Sequence, residues 1–109
     1  GTYNFNATVN FGTQTFAANF SNINVNGGGL SVSNGILSIG PQIFGDSASP
    51  SSPAVFSSTG ACGGNATCQG YVILNNAGGV AANALHELLL TQTGSSTVAG
   101  VGVGVAAKH

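Results

Sequence analysis

The sequence predicts an all-β protein: an antiparallel meander of seven to eight short strands that closes into a small up-and-down β-barrel. Apolar residues alternate with polar ones along most of the chain, which is the period of a half-buried strand. Brief Gly- and Asn-rich turns separate these segments, without the long helical crossovers that a parallel sheet requires. Closure into a barrel is the simplest way for such a meander to remove its exposed edges. The length fits one domain, residues 1–109.

The first hairpin occupies the start of the chain. Apolar residues take every second position of its first strand: Tyr3, Phe5, Ala7, Val9 and Phe11. The intervening Asn and Thr side chains form a polar ladder, which is either a solvated strand face or a surface for glycans or an identical strand. Gly12-Thr13 is typical of a tight connection to a second strand. Alternation slips by one residue before Ile23, which predicts a β-bulge near Ser21-Asn22.

The middle of the chain is rich in turn signals. The turn at 26–29 leads into two short strands, because Ser33-Asn34-Gly35 between alternating apolar residues predicts a hairpin. Residues 40–53 contain all three prolines and are predicted to form a surface loop. The distinctive side chains of this loop are Ile43, Phe44 and Asp46.

The second half continues the strand pattern. Strands are predicted from Ala54 to Ala61 and from Gly70 to Leu74, followed by a small-residue loop over 75–84 that contains at most one helical turn. Residues 85–93 have helix-favouring Leu and Glu, but they lie between β segments and are therefore predicted as a strand. A turn at 94–96 precedes the last strand.

Two cysteines, Cys62 and Cys68, flank a five-residue segment that contains two glycines and an Asn. This spacing predicts a disulfide, which would contribute roughly 2–3 kcal/mol and requires an oxidising compartment. A metal site is the alternative, but zinc needs four ligands and the chain offers only His86 and His109 besides the cysteines. We therefore expect no metal and no cofactor.

The last strand places valine on one face and glycine on the other. The valines are Val101, Val103 and Val105, and glycines alternate with them. Glycine in a strand marks close approach of a backbone or a large side chain. The bare stripe therefore lies in a narrow barrel interior, under aromatic residues such as Phe5, Phe11, Phe16 and Phe20, or it forms a flat face for a neighbouring subunit.

No catalytic constellation emerges from the sequence. His86 and Glu87 are adjacent, so on a strand they point to opposite faces and cannot serve one site. No GxSxG motif frames a serine, and the spacing of Asp46 and Glu87 does not indicate a carboxylate pair. Triplets at Asn6, Asn19 and Asn65 match the glycosylation pattern, but such matches arise by chance in an Asn- and Thr-rich chain. We expect a protein that is not an enzyme.

The segment from Cys62 to Leu90 resembles the carboxy-terminal portion of the β-barrel domain of bacterial FecR-domain surface proteins. The residues that match are Cys62, Cys68, Gly70, Tyr71, Asn76 and Ala77, with a closing strand at Val98–Ala107. The first hairpin is also similar to that of the family, and the family itself is similar to the small barrels of transferrin-binding-protein-like lipoproteins. The resemblance implies an eight-stranded barrel on or outside the bacterial cell, without enzyme activity. The family pattern includes a strand before Thr2 that this sequence lacks, so the barrel is open or takes a strand from another chain.

These observations predict a bacterial cell-surface or extracellular structural module. Only three residues of 109 are charged, compared with about a quarter in an average domain, so charge repulsion does not keep copies apart. We expect self-assembly through the terminal strands, in a filament or matrix, at these residues: Tyr3, Phe5, Val9, Phe11, Val101, Val103 and Val105. The alternative is a surface module that recognises a host protein, a glycan or a metal complex.

The net charge of −1 gives no electrostatic reason to expect a nucleic acid as a partner. No apolar run has the ~18–20 residues of a membrane helix. We see no signal peptide and expect a mature form or a fragment.

Overall fold

Seven β-strands make up the regular structure. The structure, a computed structural model, describes residues 1–10, 12–43, 54–77 and 80–107, and of residues 75–77 and 80–82 it describes the backbone only. In chain order the strands are β1 (Thr2–Asn10), β2 (Thr15–Gly27), β3 (Leu30–Ile43), β4 (Ala54–Gly63), β5 (Ala66–Ala77), β6 (Val80–Gln92) and β7 (Val98–Ala107). The predicted all-β class is confirmed.

The strands form two sheets, each of them a meander. β1, β2 and β3 form a three-stranded sheet, and β4, β5, β6 and β7 form a four-stranded sheet. Every hydrogen-bonded pair of neighbours is antiparallel, as predicted. Among the described residues no ladder joins β3 to β4 or β1 to β7, so the sheets do not close into a barrel.

The core lies between the two sheets, where their apolar faces meet. Phe16 of β2 stacks on Phe56 of β4 with ring centroids 4.2 Å apart. Gly70 of β5 lies under Phe20 of β2, so closely that a Cβ at this glycine would be 2.8 Å from the ring. The buried apolar residues are Phe16, Ala18, Phe20, Ile23, Leu30, Val32, Leu37, Ile39, Phe56, Cys62, Ala66, Cys68, Val72, Leu74, Ala84, Leu88 and Leu90. Alternation along the strands therefore sorts these side chains inward, as in packed sheets generally.

The predicted bulge near Ser21-Asn22 is present in β2. Phe20 pairs with Leu37 and Ile23 pairs with Gly35, so two residues of β2 oppose one residue of β3. Asn22 has a φ of 49°, the left-handed conformation that Asn tolerates better than most residues. The extra residue keeps Ile23 on the buried face, which explains the slip in alternation.

The predicted hairpin at Ser33-Asn34-Gly35 is wrong, because β3 runs through it as one strand. Asn34 has a φ of 53° and belongs to a second bulge, opposite Asn24. The Asn24 side chain joins the two bulges: its Oδ1 accepts from the Asn34 N–H at 3.0 Å, and its Nδ2 donates to the Asn22 carbonyl at 2.9 Å. An Asn-Gly pair is suited to the left-handed backbone of a hairpin turn and also to that of a bulge. Here β3 pairs with the long β2 on both sides of Asn34, and the result is a bulge.

Two predicted loops are shorter than expected. Of the loop predicted over 40–53, the first four residues continue β3, and 44–53 lie outside the described residues. The loop predicted over 75–84 is wrong, since β5 continues to Ala77 and β6 already begins at Val80. A segment of small residues can form a strand when the adjacent strands pair with it. The composition of the segment alone does not indicate such pairing. The strand predicted over 85–93 is confirmed as part of β6.

The β3–β4 side of the molecule is bridged by side chains. Asn65, in the turn between β4 and β5, accepts from the Ser31 N–H at 2.8 Å and donates to the Gly29 carbonyl at 2.7 Å. Further along, Gln42 donates to the Ser57 carbonyl at 3.3 Å. Both the oxygen and the nitrogen of the Asn65 side-chain amide therefore take part in the bridge between the two sheets.

Candidate functional site

The candidate site is the open seam between the terminal strands β1 and β7. β1 pairs only with β2, and β7 pairs only with β6. Each terminal strand therefore presents one edge whose backbone groups form no ladder within the described structure. Such an edge is a template for pairing with another strand.

Aromatic side chains of β1 form the floor of the seam. The Phe5 ring stacks on the His86 ring of β6 with centroids 4.1 Å apart and an interplanar angle of 14°. The Tyr3 hydroxyl lies 3.2 Å from His86 Nδ1, within hydrogen-bonding distance. Phe20 of β2 meets the same His86 ring edge-on at 6.0 Å. On this side of the molecule the imidazole of β6 therefore contacts side chains of both β1 and β2 in the other sheet.

The glycine stripe of β7 makes room for this floor. A Cβ at Gly102 would be 3.0 Å from Tyr3 Cζ, and a Cβ at Gly104 would be 2.7 Å from His86 Cε1. Both distances are below ordinary van der Waals contact, so larger residues would push these rings away. The glycine stripe therefore faces inward, toward Tyr3 and His86, although the barrel that the interior interpretation assumed is not closed.

The rings on the stripe are not the predicted phenylalanines. Tyr3 and His86 lie against it, while Phe5 is one layer further, stacked on His86. Phe16 packs elsewhere, on Phe56, and Phe11 lies outside the described residues. Sequence reasoning missed His86 in this role. No signal in the sequence alone identifies this role, because it depends on the β6–β7 register that places His86 opposite Gly104.

The seam opens into a groove of about 630 Å³. The residues that line it are Gly1, Thr2, Tyr3, Asn4, Phe5, His86, Val103, Val105 and Ala106. This lining contains no Asp, Glu, Lys or Arg side chain. The groove therefore suits an uncharged occupant, because a charge placed on its aromatic floor would lose hydration without gaining a charged side chain as a partner.

Burial perturbs the two titratable groups of the floor. Desolvation lowers the pKa of His86 and raises the pKa of Tyr3. Both shifts favour the neutral form of the group, since burial penalises the charged one. At neutral pH the seam therefore has an uncharged floor.

The predicted assembly residues divide between the two faces of the terminal strands. Tyr3 and Phe5 lie in the seam, and Val9 is half-buried further along β1. The valines of β7 point outward and are 61–68% exposed: Val101, Val103 and Val105. Val103 and Val105 also form the rim of the groove.

The remaining predictions concern chemistry and covalent structure. The disulfide Cys62–Cys68 is present, with the two Cα atoms 5.7 Å apart. His86 faces the seam, whereas Glu87 pairs with Val103 on the opposite face of the sheet. Asp46 lies outside the described residues.

Within the described ranges no three His, Cys, Asp or Glu side chains lie close enough together to bind a metal ion. No helix in that part of the chain is long and apolar enough to cross a membrane.

Comparison with protein-family models, with curated proteins and with solved structures finds no match to this chain. The resemblance to the barrel domain of FecR-domain surface proteins therefore stays a prediction.

Proposed function

We propose that this protein is a non-enzymatic bacterial structural module, at the cell surface or outside the cell, that assembles with its own copies through β1 and β7. The single observation behind the proposal is that both terminal strands have a free edge and that these edges flank one open groove. In a head-to-tail contact the β7 edge of one copy pairs with the β1 edge of the next. Because such a contact does not close on itself, it produces a filament.

The two edges lack the usual protection against pairing. Natural proteins block free edges with charged side chains, especially Lys, or with Pro. Neither β1 nor β7 contains a charged residue or a proline. A monomeric protein would be expected to protect at least one of these edges, so their composition supports assembly.

The location is inferred from chemistry and from resemblance. The Cys62–Cys68 disulfide is compatible with an oxidising compartment, such as the cell exterior or the periplasm. The resemblance to FecR-domain barrel modules suggests the bacterial cell surface in particular. The oxidising compartment and the bacterial surface are both part of the proposal.

The predicted barrel is also part of this proposal. Seven consecutive antiparallel strands are already in up-and-down order, and side chains bridge the β3–β4 side. One strand from another chain, added at the open seam, would bring the number of strands to the eight of a small barrel and would close the β1–β7 side, while side chains join the β3–β4 side.

The experiment is size measurement and negative-stain electron microscopy of the protein at high concentration, with and without mild denaturant. We expect regular fibres for the unmodified protein. Asn6→Lys in β1 and Val103→Lys in β7 should each yield monomers, because a lysine on a free edge opposes pairing. Gln69→Lys is the matched control, since it adds the same charge on the outer face of the central strand β5 and should still form fibres.

A monomer at all concentrations for the unmodified protein would contradict the proposal. The alternative function, a surface binding module, would then lead, and the search for ligands would begin at the exposed end of β3, where Ile43 is 78% exposed.

A further inference from the structure

The direction of the terminal strands decides what the open seam can accept. Within each sheet neighbours are antiparallel. β3 and β4 also run in opposite directions. Gly64, which directly follows the end of β4, lies against Ser31 near the start of β3, whereas Ser57 near the start of β4 accepts a hydrogen bond from Gln42 near the end of β3. Direction therefore alternates through all seven strands, and β1 and β7 are parallel.

Contacts across the seam agree with this direction. Tyr3 lies against Gly102, and Phe5 stacks on His86, which pairs with Gly104. The residue numbers rise together on the two sides, as they do for parallel strands. An odd number of alternating strands cannot close through antiparallel pairing, whereas one additional strand makes the number even.

We propose that the seam is an acceptor site for one extended, uncharged peptide segment of a partner polypeptide, which runs antiparallel to both β1 and β7 and pairs with both. The inference deepens the proposed barrel completion, and it does not depend on whether copies of the chain form filaments. Strand addition to a free sheet edge is a common mode of peptide recognition, in which backbone hydrogen bonds provide affinity and alternate side chains provide specificity.

The groove defines the chemistry of this segment. Its inward side chains would meet Tyr3, Phe5 and His86, so apolar residues are required at every second position. The lining offers no Asp, Glu, Lys or Arg side chain to pair with a charge. A charged side chain pointing at the floor would therefore find no charged side chain to pair with beside Tyr3, Phe5 and His86, which disfavours it.

The segment cannot be one of the seven strands of an identical subunit. A strand that pairs along both edges in the acceptor must first leave its own sheet, and the donor then has a wider gap than the one that was filled. The segment therefore comes from polypeptide outside β1 to β7. Its insertion uses the same edges as assembly of copies, so the bound segment would stop filament growth at that subunit.

The test uses a synthetic peptide with the sequence of residues 15–23, TFAANFSNI, added to the complete protein. This stretch of β2 is already an antiparallel neighbour of β1, with Phe16 opposite Val9 and Phe20 opposite Phe5. A nitroxide label at the peptide amino terminus broadens NMR signals of nearby backbone amides. The control peptide has both phenylalanines replaced by asparagine, which retains length and neutrality but removes the apolar side chains.

We expect the amino-terminal label to broaden the carboxy-terminal ends of both β1 and β7, near Val9 and Val105. A label at the peptide carboxy terminus should broaden their amino-terminal ends. The control peptide should bind at least about tenfold more weakly, because it buries two fewer aromatic rings. Sizing of the same samples reports separately whether copies assemble and whether the peptide suppresses it.

Three outcomes would overturn the inference. The first is absence of binding at millimolar peptide. The second is broadening with the opposite polarity, or at only one terminal strand. The third is broadening at β1 and β3, which would show that the peptide replaces β2 in its own sheet and leaves the seam empty. Failure of the unmodified protein to form filaments would contradict the proposed function alone.

Discussion

At the open seam, the His86 ring lies between the aromatic rings of β1 and the glycine stripe of β7. It stacks on Phe5 and hydrogen-bonds with Tyr3, so a proton on the imidazole would be placed in a partly buried site between the two sheets. The titratable group that faces it from β1 is the Tyr3 hydroxyl, and Gly104 faces it from β7. Its charge state is therefore linked to how well the seam holds together.

Acidification should destabilise the protein through His86. Because burial lowers the pKa of His86 in the folded state, stability is complete above the unfolded value of about 6.5 and falls as the pH drops below it. We expect the free energy of unfolding in urea to decrease between pH 7.5 and pH 5. His86→Gln stays neutral and should flatten this part of the profile. An equally steep decrease in the variant would exclude His86 as its source.

Gly70 shows why a glycine precedes Tyr71 in β5. A Cβ at this position would lie 2.8 Å from a carbon of the Phe20 ring and 2.9 Å from Leu37 Cδ2. Both neighbours are buried in the core, so neither has free space into which it can move. The glycine therefore allows the two sheets to approach each other.

Gly70→Ala should destabilise the fold by about 1–3 kcal/mol, the usual range for overpacking. Gly60→Ala is the matched control, because Gly60 also lies in a strand and has no heavy atom within 4 Å of an added Cβ. Urea unfolding of both variants measures the difference. Equal stabilities would mean that the sheets separate without cost at Gly70.

Among the elements, the turn between β4 and β5 has two functions. It contains the closed disulfide loop, and through Asn65 it also attaches the four-stranded sheet to the start of β3. This attachment replaces the ladder that β3 and β4 lack. Asn65 and Gln42 together make the β3–β4 side bridged, whereas the β1–β7 side is open.

Asn65→Ala should reduce the free energy of unfolding by about 0.5–1.5 kcal/mol, since it removes the hydrogen bonds to the Ser31 N–H and the Gly29 carbonyl, both of which are exposed to solvent. Asn65→Asp retains the acceptor for Ser31 and should lose less. Asn6→Ala, on the exposed face of β1, is the control and should change stability by no more than about 0.5 kcal/mol. Thermal unfolding of the three variants provides the comparison, and an Asn65→Ala variant as stable as this control would show that the bridge is dispensable.

The local sequence pattern predicted most of the strands correctly. It failed where the conformation of a segment depends on the strand that pairs with it. The period-two alternation predicted β1 and the slip predicted the bulge at Ser21-Asn22. Asn34-Gly35 satisfied the rule for a hairpin, but it became a bulge because β2 is long enough to pair with β3 on both sides of it. Such pairing is a property of two strands together, and one strand's sequence does not contain it.

The seam was predictable only in part for the same reason. Terminal strands are the natural candidates for free edges, and Tyr3 and Phe5 were assigned to them. The role of His86 depends on which strands face each other across the core, which is set by tertiary packing. The outward direction of the β7 valines follows once the glycines are placed under Tyr3 and His86.

At the scale of the whole molecule, the near absence of charge removes most of the electrostatic force between two copies. With three charged residues in 109, neither long-range repulsion nor steering acts between molecules. Apolar rows also remain on the outer face of the four-stranded sheet, where Val55, Ile73, Leu85 and Val105 are paired in register across all four strands. In the proposed assembly, association would therefore rest on backbone pairing and apolar contact.

Assembly should therefore be almost independent of sodium chloride. Raising the salt from about 0.05 to about 0.5 M shortens the screening length severalfold, but no ion pair lies at the terminal strands to be weakened. Sulfate at the same ionic strength should promote assembly, because it strengthens apolar burial. Light scattering at fixed protein concentration measures both effects. Disassembly in sodium chloride would indicate an ionic contact between copies.

The parallel course of β1 and β7 has a mechanical consequence. The first residue of β1 and the last residue of β7 lie at opposite ends of the strand stack. A pulling force applied at these two points acts along the strands and shears β1 against β2 and β7 against β6. The ladder hydrogen bonds then bear the load together, whereas a force across the strands would open them one at a time. The same seven-strand order that leaves a seam open thus gives each subunit a geometry that resists tension.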